Sequence, residues 1–328
     1  MSGHEDAERV ATDIARWVEE TFDIGPVTGC NLIRHGFNDV YSVDAEQRRF
    51  IARLSCRRAR GPSNVPYEGQ LLAHLKARGA HVAAPRVAKD GSTWRVVDAA
   101  EGPRTLMLFE IAPGQPVETT SAGYAAAYGA GLARIHEAAA DYTGADSRYR
   151  LDLDHLLRRP LAEVLRSPNV DAPTRAALGA ISADLEDRFA ACETSLSAVH
   201  CHGDCHGGNA HVVTADGAPV PTFFDFDDGG PGFLAYDLAV FLWSAERRRG
   251  HGADATQSRT SCSEFLQGYR SVRAIPAADL AATALFVPIR QVWIAGEFAG
   301  RIHHWGVEAF QREVAMIPRL AAWAPGND

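Results

Sequence analysis

His202-Gly203-Asp204-Cys205-His206-Gly207-Gly208-Asn209 is followed shortly by Phe223-Phe224-Asp225-Phe226-Asp227-Asp228. Together the two strings set one carboxylate, an amide after four intervening residues, and a second carboxylate beyond a strand–turn–strand (210–213, Asp216-Gly217, 220–224). Turn capping is the ordinary use of a single Asp or Asn, but it leaves the spacing and the second Asp without a reason. Asp204 is the candidate base for a hydroxyl. Asn209 offers a neutral oxygen and Asp225 an anionic one, both hard donors suited to Mg²⁺, which takes its remaining ligands from water and phosphate. A base plus two metal ligands is what phosphoryl transfer needs, because that chemistry rests on positioning and charge neutralisation. His202 fits a role in bracing the loop by hydrogen bonding.

Composition narrows the alternatives. The chain has 328 residues, 46% of them apolar, enough for one large domain or two modest lobes. Its formal net charge is −8, and Lys76 and Lys89 are the only lysines. No basic cluster marks a nucleic-acid partner, and a negative surface suits neutral or cationic substrates. Six scattered cysteines (Cys30, Cys56, Cys192, Cys201, Cys205, Cys262) show no disulfide framework, and the first residues are polar. The expectation is a cytoplasmic protein with reduced thiols, no membrane partner and no apolar run approaching a bilayer span. Oligomeric state has no signature.

Outward from the motif, hydrophobic period divides the chain. Ala7, Val10, Ala11, Ile14, Trp17, Val18 and Phe22 predict a leading amphipathic helix. Short strand-like runs follow at 27–34, 40–43 and 49–54, then a helix over 67–78 ending at Gly79, then strands at 93–98 and 104–111. Pro113-Gly114-Gln115-Pro116 is the clearest punctuation and the expected linker. Beyond it, helices are expected over 124–140, 175–195, 263–269 and 280–304. The fold expected is α+β, with a strand-rich lobe (1–112) carrying one crossing helix and a helix-rich lobe (113–328).

With these residues in hand, the chain resembles the aminoglycoside phosphotransferase/choline kinase family of the protein-kinase-like fold, over roughly Asn31 to Trp305. Cys205-His206 and the doubled Asp227-Asp228 are most similar to its stress-response kinase and type II homoserine kinase branches. The resemblance implies ATP and Mg²⁺ as cofactors and a small hydroxylated acceptor. It makes Asp204 the catalytic Asp, Asn209 and Asp225 the metal ligands, and Asp237 a buried support of the catalytic loop. Gly36 and Asn38 stand where the family folds a loop over the ATP phosphates; such residues tolerate the tight backbone that brings amides to anions. Phe50-Ile51-Ala52-Arg53-Leu54 stands where protein kinases carry Val-Ala-Ile-Lys, with Arg53 in place of Lys and Glu68 its natural partner. Adenine would bond to backbone around Glu110 to Ala112.

For the acceptor, the stretch 286–305 mixes aromatic and charged residues. Arg290 and Glu297, two turns apart, would suit a carboxylate and an amine, and Asp227 and Asp228 a polyamine or aminoglycoside. Trp293 reads more simply as the packing face of a core helix. Three rival functions remain: a protein Ser/Thr kinase, a nucleotide-binding pseudokinase, to which the Arg53 departure leans, and a metal hydrolase built on His200, His202, Asp204, His206 and His211 with Cys201 and Cys205.

Overall fold

The computed structural model describes residues 2–55, 64–100, 102–116, 118, 120–121, 123–249 and 254–323. Helix α1 (Ser2–Thr21) precedes strands β1 (Val27–His35), β2 (Asn38–Ala45) and β3 (Arg48–Ser55). Helix α2 (Val65–Ala77) then crosses before β4 (Arg95–Ala99) and β5 (Gly102–Glu110). The five strands form one antiparallel sheet in the order β1-β2-β3-β5-β4. One face buries Tyr41, Val43, Phe50, Ala52 and Leu54 against Ile14, Trp17, Val18 and Phe22, so the apolar stripe of α1 covers the sheet as its period predicts. Helix α2 stops at Arg78, and Gly79 turns the chain at φ +79°.

The remainder is mainly helical: α3 (Tyr124–Ala138), α4 (Arg159–Arg166), α5 (Ala172–Cys192), α6 (Leu234–Arg249), α7 (Ala255–Arg270), α8 (Ala277–Gly300), α9 (Ile302–Trp305) and α10 (Val307–Ala321). Two small ladders interrupt them: β6 (Ala198–Cys201) with β9 (Gly230–Phe233), and the hairpin β7 (Ala210–Ala215) with β8 (Ala218–Phe223). The helix expected over 280–304 divides into α8 and α9, where Arg301 leaves helical geometry. A π-helical turn at Asp154–Arg158 runs into α4.

Helices α4, α6 and α10 and strands β6 and β9 carried no sequence expectation. In α6 the reason is physical. Leu234 to Trp243 are all buried, and a helix enclosed on every side shows no 3.6-residue alternation to read. Helix α8 corrects the expectation that no run could span a bilayer. It is long and apolar enough by length and composition, but 72% of the tested window is buried inside the protein, so it is a core helix.

The lobes are stitched together. Gln115 and Val212 exchange backbone hydrogen bonds (3.1 and 2.9 Å), and Ala83 N–H donates to the Phe223 carbonyl (2.8 Å). Beneath, one apolar cluster contains Leu71, Leu75 and Met107 from the first lobe with Tyr128, Leu132 and Phe223 from the second. Five cysteines are free, and Cys56 lies outside the described residues.

Candidate active site

The loop from 202 to 209 leaves β6 and enters β7, held by groups reaching it from helices. Asp237, in the first turn of α6 and fully buried, accepts from the backbone N–H of His202 (2.8 Å) and Gly203 (2.9 Å). His136 of α3 also bonds Asp237 (2.9 Å), and its other nitrogen meets Tyr269 (2.8 Å). On the carbonyl side, Tyr236 donates to Gly203, Tyr128 to His206 and Tyr124 to Gly207. Gly203 has φ +84°, and a Cβ there would run into the Asp228 carbonyl, so the turn needs glycine. The His202 ring meets the Phe224 carbonyl at 3.1 Å and packs on Phe226, tying the loop to the segment after β8.

Burial alone would raise the Asp237 carboxyl; the hydrogen bond and charge of His136, His202 and the Gly203 amide outweigh it and hold it below the ordinary 3.8. A depressed carboxyl contributes stability that is complete above its unfolded value and is lost as pH falls through the folded one. Asp237→Asn is therefore expected to cost about 3 kcal/mol of unfolding free energy at pH 7. The deficit should shrink below about pH 4, the region of the unfolded carboxyl. Urea denaturation across pH 3–7 checks this; a deficit that stays constant down to pH 3 would remove charge from the explanation.

At the loop's mouth, Asn209 turns its amide Nδ2 to Asp204, bonding the backbone carbonyl (2.9 Å) and Oδ2 (3.2 Å). Its Oδ1 is thereby kept for another partner. Asp225, just past β8, adopts φ +67°, rare for a residue with a Cβ and a form of strain that surrounding structure must enforce. Burial, Asp227 and Asp204 push its carboxyl well above the usual range, against the opposing pull of Arg53 and Arg34. Asp204, Asp225, Asp227 and Asp228 all line one cavity of about 30 Å³. That crowding of oxygen donors fits a hard divalent cation. Asp204 itself titrates the other way: burial would raise it, but Arg290, His206 and His202 hold it below the usual range.

Beside Asp225 opens a largely apolar cavity of about 270 Å³, lined among others by Val40, Ile51, Ala83, Phe109, Ile111 and Phe224. Glu110 and Ala112 also line it. The Glu110 side chain faces elsewhere, paired with Arg48 (2.9 Å) and Arg86 (3.2 Å), and the Ala112 carbonyl meets His211 (3.1 Å). At its floor, Arg53 grips Glu68 through two bonds (2.8 and 2.5 Å) and lies 3.6 Å from Asp225. Both partners of that pair are buried.

The loop between β1 and β2 closes the mouth from above. Asn38 donates to Asp227 (2.6 Å), and the carbonyls of Gly36 (3.0 Å) and Phe37 (3.3 Å) accept from Arg301. The Phe37 ring meets Phe298 and Trp305 edge-on, at 6.1 and 5.2 Å between centroids. The loop is thus pinned to the α8–α9 corner.

Two acceptor candidates stand apart from each other. Arg290, 1% exposed, pairs with Asp204, donates to the Gly203 carbonyl (3.2 Å) and Tyr236 hydroxyl (3.1 Å), and lies against the rings of Trp293 (4.3 Å) and Trp243 (5.3 Å). Glu297 lines a different cavity of about 390 Å³ between α4 and α8. The carboxylate-and-amine clamp expected of these two is not assembled. Trp293 is a core residue, as its spacing suggested.

The histidines of the hydrolase reading divide: His206 lies 3.7 Å from Asp204, while His200 bonds Tyr67, His202 Phe224, and His211 Ala112. Among the described residues no three His, Cys, Asp or Glu side chains gather to hold a metal by themselves. Sequence reasoning missed Arg34, which lines both the acidic and the apolar cavity, and the tyrosines under the loop. Nothing local could have signalled either, since β1 is exposed throughout residues 31–35 and shows no alternation there.

Known proteins resemble this chain in sequence and in fold. A relative from Deinococcus radiodurans, described only as uncharacterized, is 39% identical over 92% of this chain and 85% of its own length. A homoserine kinase of Xanthobacter autotrophicus is 29% identical over 83% of this chain and 82% of its own. A microcompartment-associated aminopropanol kinase shares the fold at TM-score 0.75 and 22% identity, with 95% of each chain covered. An amicoumacin kinase, solved with AMP-PNP, Ca²⁺ and Ami, does so at 0.72 and 22%, over 98% of this chain and 95% of its own. The family model described as "Phosphotransferase enzyme family" matches residues 30–275, from β1 through the catalytic loop and into the helices behind it. On that match the chain belongs to the phosphotransferase enzyme family and is an enzyme that phosphorylates hydroxyl groups.

Proposed function

We propose that this protein transfers the γ-phosphoryl group of ATP to a hydroxyl of a small, amine-bearing molecule, with Mg²⁺ as its metal. The observation that carries this is the meeting of Asp204, Asn209 and Asp225 at one end of a cleft whose other end is an apolar cavity sized for a base. Asp204, held ionised by Arg290, orients the acceptor hydroxyl and takes its proton as the new P–O bond forms. The Asn209 Oδ1 and the Asp225 carboxylate would hold the metal, which neutralises phosphate charge when bound. Backbone near Glu110 and Ala112 receives adenine, while Gly36 and Asn38 keep the phosphate loop closed. Arg53 and Glu68 brace Asp225 from below.

An amine on the acceptor suits the acidic wall of Asp227 and Asp228, and the commitment of Arg290 to Asp204 leaves no clamp for an acceptor carboxylate. The intact Arg53–Glu68 pair speaks against a pseudokinase. The lobe boundary we place at 112/113, where the linker begins.

ADP release from Mg·ATP tests the reading across amino alcohols, amino acids, aminoglycosides and a generic protein substrate. Acceptor-dependent release with an amino alcohol or aminoglycoside is expected. Release with the protein substrate alone would replace the small-molecule reading, and nucleotide binding without any turnover would favour the pseudokinase.

A further inference from the structure

The cleft holds more carboxylates than its visible cations can balance once a polyphosphate enters. Asp204, Asp225, Asp227 and Asp228 line its acidic end. Of the arginines nearby, Arg53 is committed to Glu68, Arg290 to Asp204, and Arg301 to the Gly36 and Phe37 carbonyls. Arg34, near the end of β1, differs from all three. It is exposed, and among the described residues it makes no ion pair.

Its position is specific. Arg34, Val40 and Asp225 alone line both the apolar cavity of about 270 Å³ and the acidic one of about 30 Å³. A nucleotide with its base in the first and its terminal phosphate in the second must pass its phosphate chain between them. Gly36 makes room for this: a Cβ there would lie 3.1 Å from Arg34 Nε and press the side chain aside. The loop glycine thus serves the arginine two residues before it as well as its own backbone.

We propose that Arg34 grips the nucleotide's polyphosphate where the two cavities meet, a guanidinium contact in addition to any that Arg53 makes with the N–H groups its bonds to Glu68 leave over. Guanidinium is suited to the task because its planar donors can bridge two phosphate oxygens. The proposal rests on the reading of the protein as an ATP-dependent enzyme.

Calorimetric titration of the intact protein with Mg·ATP and with adenosine tests it without an acceptor. Arg34→Ala should weaken ATP binding by about tenfold to thirtyfold, the range for losing hydrogen bonds to a charged group, and leave adenosine affinity within about twofold. Arg34→Lys should recover part of the loss through charge without the fork. Because Arg34 is exposed, both variants should keep the wild-type unfolding midpoint. ATP affinity unchanged in Arg34→Ala, or ATP and adenosine weakened equally, overturns the proposal while leaving the kinase reading intact. Wild-type protein that binds no ATP overturns both.

Discussion

Asp204→Asn is expected to lower kcat by about 10³- to 10⁴-fold while ATP affinity changes less than about threefold. The substitution preserves volume and the loop, whose bonds run through backbone, Asp237 and the tyrosines. What changes is the acceptor set. One oxygen of Asp204 faces Arg290 and the other faces the Asn209 amide. An asparagine must turn its single oxygen to Arg290, which places its NH₂ beside the NH₂ of Asn209, where a substrate hydroxyl would need an acceptor. Nothing in that exchange touches the apolar cavity, so binding and turnover should separate. ADP release alongside nucleotide titration measures both, and turnover near the wild-type value would sink the assignment of Asp204 as base.

Arg290→Ala should be the next most damaging change. Removing one partner of a buried ion pair leaves the other charge uncompensated, a loss of about 3–5 kcal/mol in stability. The same change removes a donor from both the Gly203 carbonyl and the Tyr236 hydroxyl, which keep their bond to each other, and empties the slot beside Trp243 and Trp293. Turnover should fall by about 10²-fold or more, the scale of a misplaced catalytic group. Below the variant's unfolding midpoint the loss should sit in kcat, with ATP affinity little changed. Added guanidinium at millimolar concentration, entering the vacated slot, should restore part of it. A variant whose deficit vanishes wherever it is folded, or which guanidinium never rescues, would reduce Arg290 to a packing residue.

That Arg290 was taken for an acceptor-binding group shows where sequence reading stops. The nearness of Asp204, Asn209 and Asp225 was legible because it is local: they lie within 22 positions, and glycines and strands fix their relative directions. The N-terminal sheet was legible because its short apolar strands are separated by turn-forming segments, although β5 is buried on both faces, with Leu106 and Leu108 in one cluster and Met107 and Phe109 in another. Arg290 pairs across 86 residues of chain, and no spacing rule spans such a gap. The buried helix α6 lost its periodic signal to complete enclosure, although Asp237 at its start could be placed by resemblance. Glu297 was a charged residue in the expected segment, but its side chain lines a separate cavity. Segment position was readable; side-chain direction was not.

The docking of Phe37 against Phe298 and Trp305, with Arg301 on the loop carbonyls, has an evolutionary consequence. On the proposed function, the corner beside the acidic end of the cleft is also the anchor of the loop that would cover the phosphates. A lineage changing its acceptor by substitution at 298, 301 or 305 would loosen nucleotide handling at the same stroke. Diversification of substrate preference should therefore have run through residues outside this corner, or through paired changes on both sides of it.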